Sequence, residues 1–392
     1  MLIPFTNNLM PFRYEQLDQT LIGYQMTGMP LVTYDSNQFI PAGISDDTGI
    51  YYFVPKIANF FNLGLDQSIS AFFLFFFCSS ILVSLFSIFK IFPNIKQRAT
   101  SLFFVFTISV YMFLRGDIYI MSSTTMLTII PLSYYLKKKG LINYIHYIIY
   151  FGFGLLISVS NFIRSNSATG VLLFLLLFVF LTQKANKKFL IYTYLVLVAG
   201  FLITNLFFAS LKSDRDDYLN SINAVKAENF VKGHSFWHTV YLGLGYLNNP
   251  YKIEYSDNCG FMRAKLFQPN IVYYSNEYEN LMKNEVINLL KMDPWFITKT
   301  IISKLGVVIF YLLIFSNIGI IYIFKSFKNL TFNIPILICL MFNLIFPLLT
   351  MPFPSYLMGA VCTVMILSVI SMDIDNNKNK LNDVNNSLKE IG

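Results

Sequence analysis

The chain has 392 residues, of which 55% are hydrophobic and only 13% charged. A water-soluble protein carries roughly a quarter of its residues as charges, so something other than water must cover most of this surface. The net charge of +8 does not point to nucleic acid, because the basic residues sit in short clusters between apolar runs, as in a protein of the lipid bilayer.

Residues 1–67 hold no apolar run long enough to span, and 1–12 are too short to do so. The segment reads as extracytoplasmic, so either this start lacks an upstream spanning helix, the favoured expectation, or the first helix pulls the N-terminus across. Asp46 and Asp47 precede an aromatic stretch in which Tyr51, Val54, Ile57, Ala58 and Phe60 recur at roughly helical spacing. A helix there would lie along the bilayer surface. The two acids would cap its N-terminus, which favours Asp, or act chemically just above the membrane; the residues leave both open.

An all-α, polytopic fold with about nine spanning helices follows, at 68–89, 99–114, 118–136, 143–163, 169–182, 189–211, 302–324, 330–350 and 355–372. Hydrocarbon cannot satisfy exposed backbone groups, so each crossing is a helix of about 20 apolar residues. Every second connection is basic: Lys90, Lys96 and Arg98; Lys137 to Lys139; Lys184, Lys187 and Lys188; Lys325 and Lys328. These are predicted to be cytoplasmic. The alternate connections, with Arg115 and Asp117, with Arg164, and at 351–356, are then extracytoplasmic. The 41 Phe and 25 Tyr suit lipid-facing and interfacial positions. Cys78, Cys339 and Cys362 lie in apolar runs, and no disulfide or zinc spacing is present.

Arg164 ends an apolar run on the side where positive charge is disfavoured. It either snorkels or meets an anion, and a phosphate near the membrane suits it. Arg115 invites the same argument, weakened by Asp117 close by. Residues 212–301 form a large extracytoplasmic loop with short amphipathic helices. His234 and His238 in it are four apart and would share a helix face. A metal site would need a third ligand, so an acid–base, hydrogen-bonding or structural histidine competes with that reading. Residues 276–304 read as an amphipathic helix whose Glu277, Glu279 and Glu285 make a solvated face, with Trp295 as an interfacial anchor. The organisation expected is an outer segment with an interfacial helix (1–67), six spans (68–211), the loop (212–301), three spans (302–372) and a disordered cytoplasmic tail (373–392).

The acidic pair followed by Gly49 to Pro55, with Arg164 at a helix end and a large outer loop before the last helices, resembles the GT-C glycosyltransferases, which use lipid-linked sugar donors. The resemblance covers most of 40–372 as architecture, through short motifs. One departure is that the fold ordinarily has a spanning helix before its acidic first loop. The resemblance implies a bacterial cytoplasmic-membrane enzyme of surface-polysaccharide synthesis, moving a sugar from a polyprenyl phosphate to a glycan or lipid-linked acceptor. Asp46 or Asp47 would serve as general base or position the acceptor. Arg164, with Arg115 or Arg263, would stabilise the phosphate. Trp237 and Tyr246 would stack on sugar rings, and His234 and His238 would contact substrate. No cofactor is implied; a divalent ion on the acidic pair would need further oxygen ligands. Two alternatives stand beside this reading. A polymerase of O-antigen repeat units would share the outer arginines but tolerate loss of the acids. A flippase or transporter would show internal repeats and midplane charges, which are not visible.

Overall fold

The computed structural model describes all residues except 1–4, 6–7, 44–46, 141–143, 225–234, 274, 328 and 392, with the backbone alone for 376–391. Among the described residues the fold is all-α apart from one β-hairpin. Helix α1 (Pro11–Thr27) starts on a proline, whose missing N–H is no loss in a first turn. It ends at Gly28, whose φ of 69° lets its N–H reach the Tyr24 carbonyl. Strands β1 (Val32–Asp35) and β2 (Gln38–Pro41) pair antiparallel with Asp35 opposite Gln38. The turn between them, Ser36-Asn37, has φ of 48° and 61°, the mirror-image turn that matches strand twist. α1 lies directly on the hairpin: a Cβ at Gly23 would meet the Val32 carbonyl oxygen at 2.4 Å. Sequence patterning did not reveal this hairpin, because strands of four residues show little periodicity.

Helix α2 (Thr48–Phe61) follows, burying Ile50, Tyr51, Val54 and Ala58 and exposing Phe60 and Phe61. Among the described residues seven helices are long and apolar enough to cross a membrane: α3 (Leu65–Ile91), α4 (Ile95–Arg115), α6 (Tyr144–Ile163), α8 (Lys187–Ser221), α12 (Pro294–Ser316), α14 (Leu330–Leu349) and the first part of α15 (Pro354–Ile391). Two more of the expected spans are helices outside this set. α5 (Ile120–Lys139) carries Ser122 to Thr125 and three lysines, and α7 (Thr169–Gln183) has 15 residues.

The centre of the bundle is α15, whose apolar window within 354–375 is buried throughout. Within that window the helix is apolar on every side, and other helices rather than lipid cover it. Small residues let its neighbours approach: a Cβ on Gly319 would meet the Ser368 side chain at 2.3 Å. Residues 373–391, expected as a disordered tail, continue this helix, and Asp373 is buried.

Other boundaries also differ. The expected span 302–324 breaks at Asn317 (φ 41°), leaving α12 and a short α13 (Gly319–Ser326). The expected helix 276–304 ends at Met292, where α11 (Asn276–Met292) stops. Pro294 then opens α12, with the Asp293 carboxylate accepting from the Phe296 N–H at 3.0 Å. α8 runs ten residues past the expected 211, to Ser221.

The bundle has two distinct ends. At the lysine end, Lys138 donates to the Ile91 carbonyl (2.8 Å) and to Asp373 (2.7 Å). At the opposite, loop end stand the N-terminal segment, the 115–117 turn, Arg164 and a lobe. The lobe comprises α9 (Phe236–Gly243), a 3-10 turn (Leu244–Tyr246), α10 (Asp257–Phe267) and α11. It has its own core of Tyr241, Leu242, Ala264, Tyr278 and Met282.

Candidate functional site

Asp47 occupies the N-cap position of α2 in a left-handed conformation (φ 59°), a strained state that Asp tolerates better than most residues. Its side chain caps nothing. Instead Oδ2 accepts from Arg13 Nε at 2.8 Å and Oδ1 from Arg164 Nη1 at 3.2 Å. All three groups are buried, with 4% of Asp47, 7% of Arg13 and 5% of Arg164 exposed. A carboxylate shared by two guanidiniums is a strong, charge-assisted arrangement.

Local sequence explains how the three meet. Arg13 lies in the first turn of α1, which is tied to α2 by the Tyr51 hydroxyl donating to Gln16 Oε1 at 2.6 Å. Arg164 directly follows α6, its N–H donating to the Ser160 carbonyl. Gly49 allows α2 to touch the end of α6: a Cβ there would meet the Ile163 nitrogen at 2.9 Å. Upstream of Asp47, the Ala42 and Gly43 carbonyls are each held. Arg215 of α8 donates to the Ala42 carbonyl at 2.9 Å, and the Thr48 hydroxyl to the Gly43 carbonyl at 2.7 Å.

Asp117 completes the charged cluster. It is buried, and Oδ1 accepts from the Tyr119 N–H at 2.8 Å. Burial pushes its carboxyl up to about 6, although Arg13 and Arg164 both pull it down. Burial works against the charge on Arg13, but Asp47 and Tyr119 more than restore it, and its pKa lies above the ordinary value. Behind Arg164 stands an aromatic layer. The guanidinium lies 4.7 Å over the Tyr119 ring and 5.8 Å from that of Phe346. Tyr119 packs on Tyr356 at 4.6 Å, and the Tyr356 and Tyr255 hydroxyls are 3.4 Å apart. The cluster therefore connects to the lobe through Tyr255.

The remaining predicted residues are placed as follows. Asp46 and His234 lie outside the described residues. Arg115 is exposed at the end of α4 while Asp117 turns inward, so the local neutralisation expected of that pair is replaced by Asp117 facing the buried arginines. His238 is buried in the lobe between the Tyr278 hydroxyl, at Nδ1, and Asp257 Oδ1, 3.1 Å from Nε2. The Trp237 N–H donates to both Glu279 oxygens, at 3.0 and 3.2 Å. Arg263 pairs with Glu285 at 2.7 Å. Tyr246 lies 6.0 Å from the Lys304 ammonium, which itself donates to the Leu348 and Leu349 carbonyls at 3.0 and 3.3 Å. Thus Glu279 and Glu285, read as a solvated face, serve the lobe's internal bonding.

The structure joins Asp47 to Arg164, and the lobe residues form a separate group. Arg13 and Asp117 were not read as site residues. The argument that singled out Arg164, a positive charge where such charges are scarce, applies equally to Arg13. Among the described residues no three or more His, Cys, Asp or Glu side chains converge to hold a metal ion. Comparison with protein-family models, with curated proteins and with solved structures finds no match to this chain.

Proposed function

We propose that this chain is a membrane glycosyltransferase of the GT-C kind, moving a sugar from a polyprenyl-phosphate donor to a glycan or lipid-linked acceptor. The observation that carries this reading is the Arg13–Asp47–Arg164 cluster, buried at the loop end of the bundle beside an aromatic layer. In this reading α5 and α7 also cross, for nine crossings. The lysine end faces the cytoplasm by the positive-inside rule, and the site faces the outer leaflet of a bacterial cytoplasmic membrane. The acceptor oxygen attacks the anomeric carbon, the bond to the lipid phosphate breaks, and the phosphate keeps the electron pair. Arg164 stabilises that charge as it develops. The proton of the acceptor passes to the carboxylate of Asp47 or Asp46.

A second reading, polymerisation of lipid-diphosphate-linked repeat units, draws on the same geometry. Both Asp47 oxygens are engaged by arginines, as in a site whose main task is to hold an anion. Membranes carrying the chain, supplied with a polyprenyl-phosphate or a polyprenyl-diphosphate sugar, separate the two. Single-sugar addition from the monophosphate donor, falling at least about 100-fold in Asp47→Asn and Arg164→Gln, supports the transferase. A product ladder from the diphosphate donor supports the polymerase. Full activity in both variants refutes the site.

A further inference from the structure

We propose that the Asp47 carboxylate occupies the seat of the substrate's phosphate. Arg13 and Arg164 form one two-armed anion grip, closed at rest by a built-in carboxylate, and a prenyl-linked phosphate opens it by taking Asp47's place. The proposal rests on the transferase reading for the identity of the lipid. It adds Arg13 as a second phosphate contact and an order of events: donor first, then a liberated carboxylate.

The geometry is that of a bound oxyanion. Each Asp47 oxygen takes one guanidinium, Oδ2 at 2.8 Å from Arg13 and Oδ1 at 3.2 Å from Arg164. Two phosphate oxygens can be held in the same way, and planar guanidiniums suit either anion. Burial makes a resting anion necessary. Two guanidiniums this deeply enclosed repel each other and are poorly solvated, so an empty grip is strongly unfavourable. Asp117 lowers the net charge nearby, but its Oδ1 accepts from the Tyr119 N–H. Among the described residues Asp117 makes no direct hydrogen bond to either arginine.

Charge bookkeeping favours exchange. A sugar–phosphate–prenyl diester carries one negative charge, as Asp47 does, so the two guanidiniums hold a single negative charge before and after the exchange. Cleavage of the glycosyl bond then turns the diester into a monoester that approaches two negative charges, matched to two guanidiniums. The grip therefore binds the developing product more tightly than the donor, which is the condition for catalysis. The displaced Asp47 carboxylate, no longer engaged, becomes available to take the acceptor's proton. It lies just before the first turn of α2 and caps nothing there, so it can leave the arginines without unwinding the helix.

The test uses the full chain in nanodiscs, with a polyprenyl phosphate as probe and three controls: the uncharged prenol, inorganic phosphate and phosphatidylglycerol. Asp47→Asn should bind the polyprenyl phosphate about tenfold or more tighter than the wild type, because the resting occupant is gone. Arg13→Gln should bind it about tenfold more weakly. Equal or weaker binding by Asp47→Asn, or unchanged binding by Arg13→Gln, overturns the exchange while leaving the transferase reading standing. Absence of any binding by folded wild type and folded Asp47→Asn overturns both. Equal enhancement for inorganic phosphate or phosphatidylglycerol overturns the prenyl-phosphate assignment. Where Asp47→Asn does not fold, it is prepared with the probe present. Recovery of monodisperse protein with polyprenyl phosphate, and not with prenol, supports the proposal, and no recovery overturns it.

Discussion

Gly49 sets the separation between the elements that carry Asp47 and Arg164, and Gly49→Ala measures how much depends on it. The added Cβ would lie 2.9 Å from the Ile163 nitrogen and from the Phe162 carbonyl carbon, whereas carbon contacts rest at roughly 3.5 Å or more. α2 would have to retreat from the end of α6 by about 0.5 Å. The Asp47–Arg164 contact is already 3.2 Å long, so the same retreat carries it out of hydrogen-bonding range. Overpacking of this kind costs about 1–3 kcal/mol, and a lost hydrogen bond to a charged group about 1.5–3 kcal/mol. The gain from replacing a helical glycine by alanine is about 1 kcal/mol. The balance is a loss of about 1.5–5 kcal/mol, read by denaturant titration in mixed micelles. Repeating the substitution in an Asp47→Asn background should remove the hydrogen-bond share of the penalty. If Gly49→Ala instead stabilises the protein by about 1 kcal/mol, as at an unencumbered helical site, the close approach of α2 to α6 is refuted.

Three further outcomes follow from buried groups. Asp117 titrates near 6 when folded, against an ordinary 3.8. Between these values the folded chain holds a proton that the unfolded chain has released. Stability therefore falls as pH rises from about 4 to about 6, by about 3 kcal/mol, and levels off above. Asp117→Asn removes that slope, so a wild-type-minus-variant stability difference that stays flat across the window contradicts the burial of Asp117. Lys138→Met takes the cation from the Asp373 carboxylate, which is 2.7 Å away and 4% exposed. It should cost about 3 kcal/mol, largely recovered in the double variant with Asp373→Leu. α6 and α8 touch backbone to backbone: a Cβ on Gly200 would lie 2.3 Å from the Phe151 carbonyl oxygen, and one on Gly154 2.1 Å from that of Leu197. Gly200→Val should cost about 3 kcal/mol by forcing the pair apart, and an unchanged melting temperature would refute the contact.

How much of the site was legible depends on the kind of signal each residue carries. Arg164 and Asp47 could be singled out because each is a charge beside an apolar stretch, a local anomaly visible without a fold. Their partnership was not visible, since 117 residues separate them. Arg13 lies 34 residues before Asp47 in a segment without strong periodicity. A capping role for Asp47 was a fair reading of the helix that follows it. The structure replaces it because two guanidiniums bind a carboxylate more strongly than the backbone amides of a helix end do. His238 was legible as a residue of interest, but its Tyr278 and Asp257 partners depend on how three lobe helices pack.

The apolar runs, the alternation of lysine clusters and the polar loops belong to the amino-acid order itself. Lipid forces each crossing into a helix that satisfies its own backbone, so composition within 20 residues is enough to find it. Tertiary packing decided what composition leaves open: that α15 is the enclosed centre, that the chain breaks at Asn317, and that α5 lies largely inside the bundle. It also decided that one aspartate closes the gap between two arginines far apart in the sequence. In a bilayer the hydrophobic effect that places helices in water does not choose their neighbours. Close packing of small residues and pairing of buried charges do, and both depend on residues far apart in sequence.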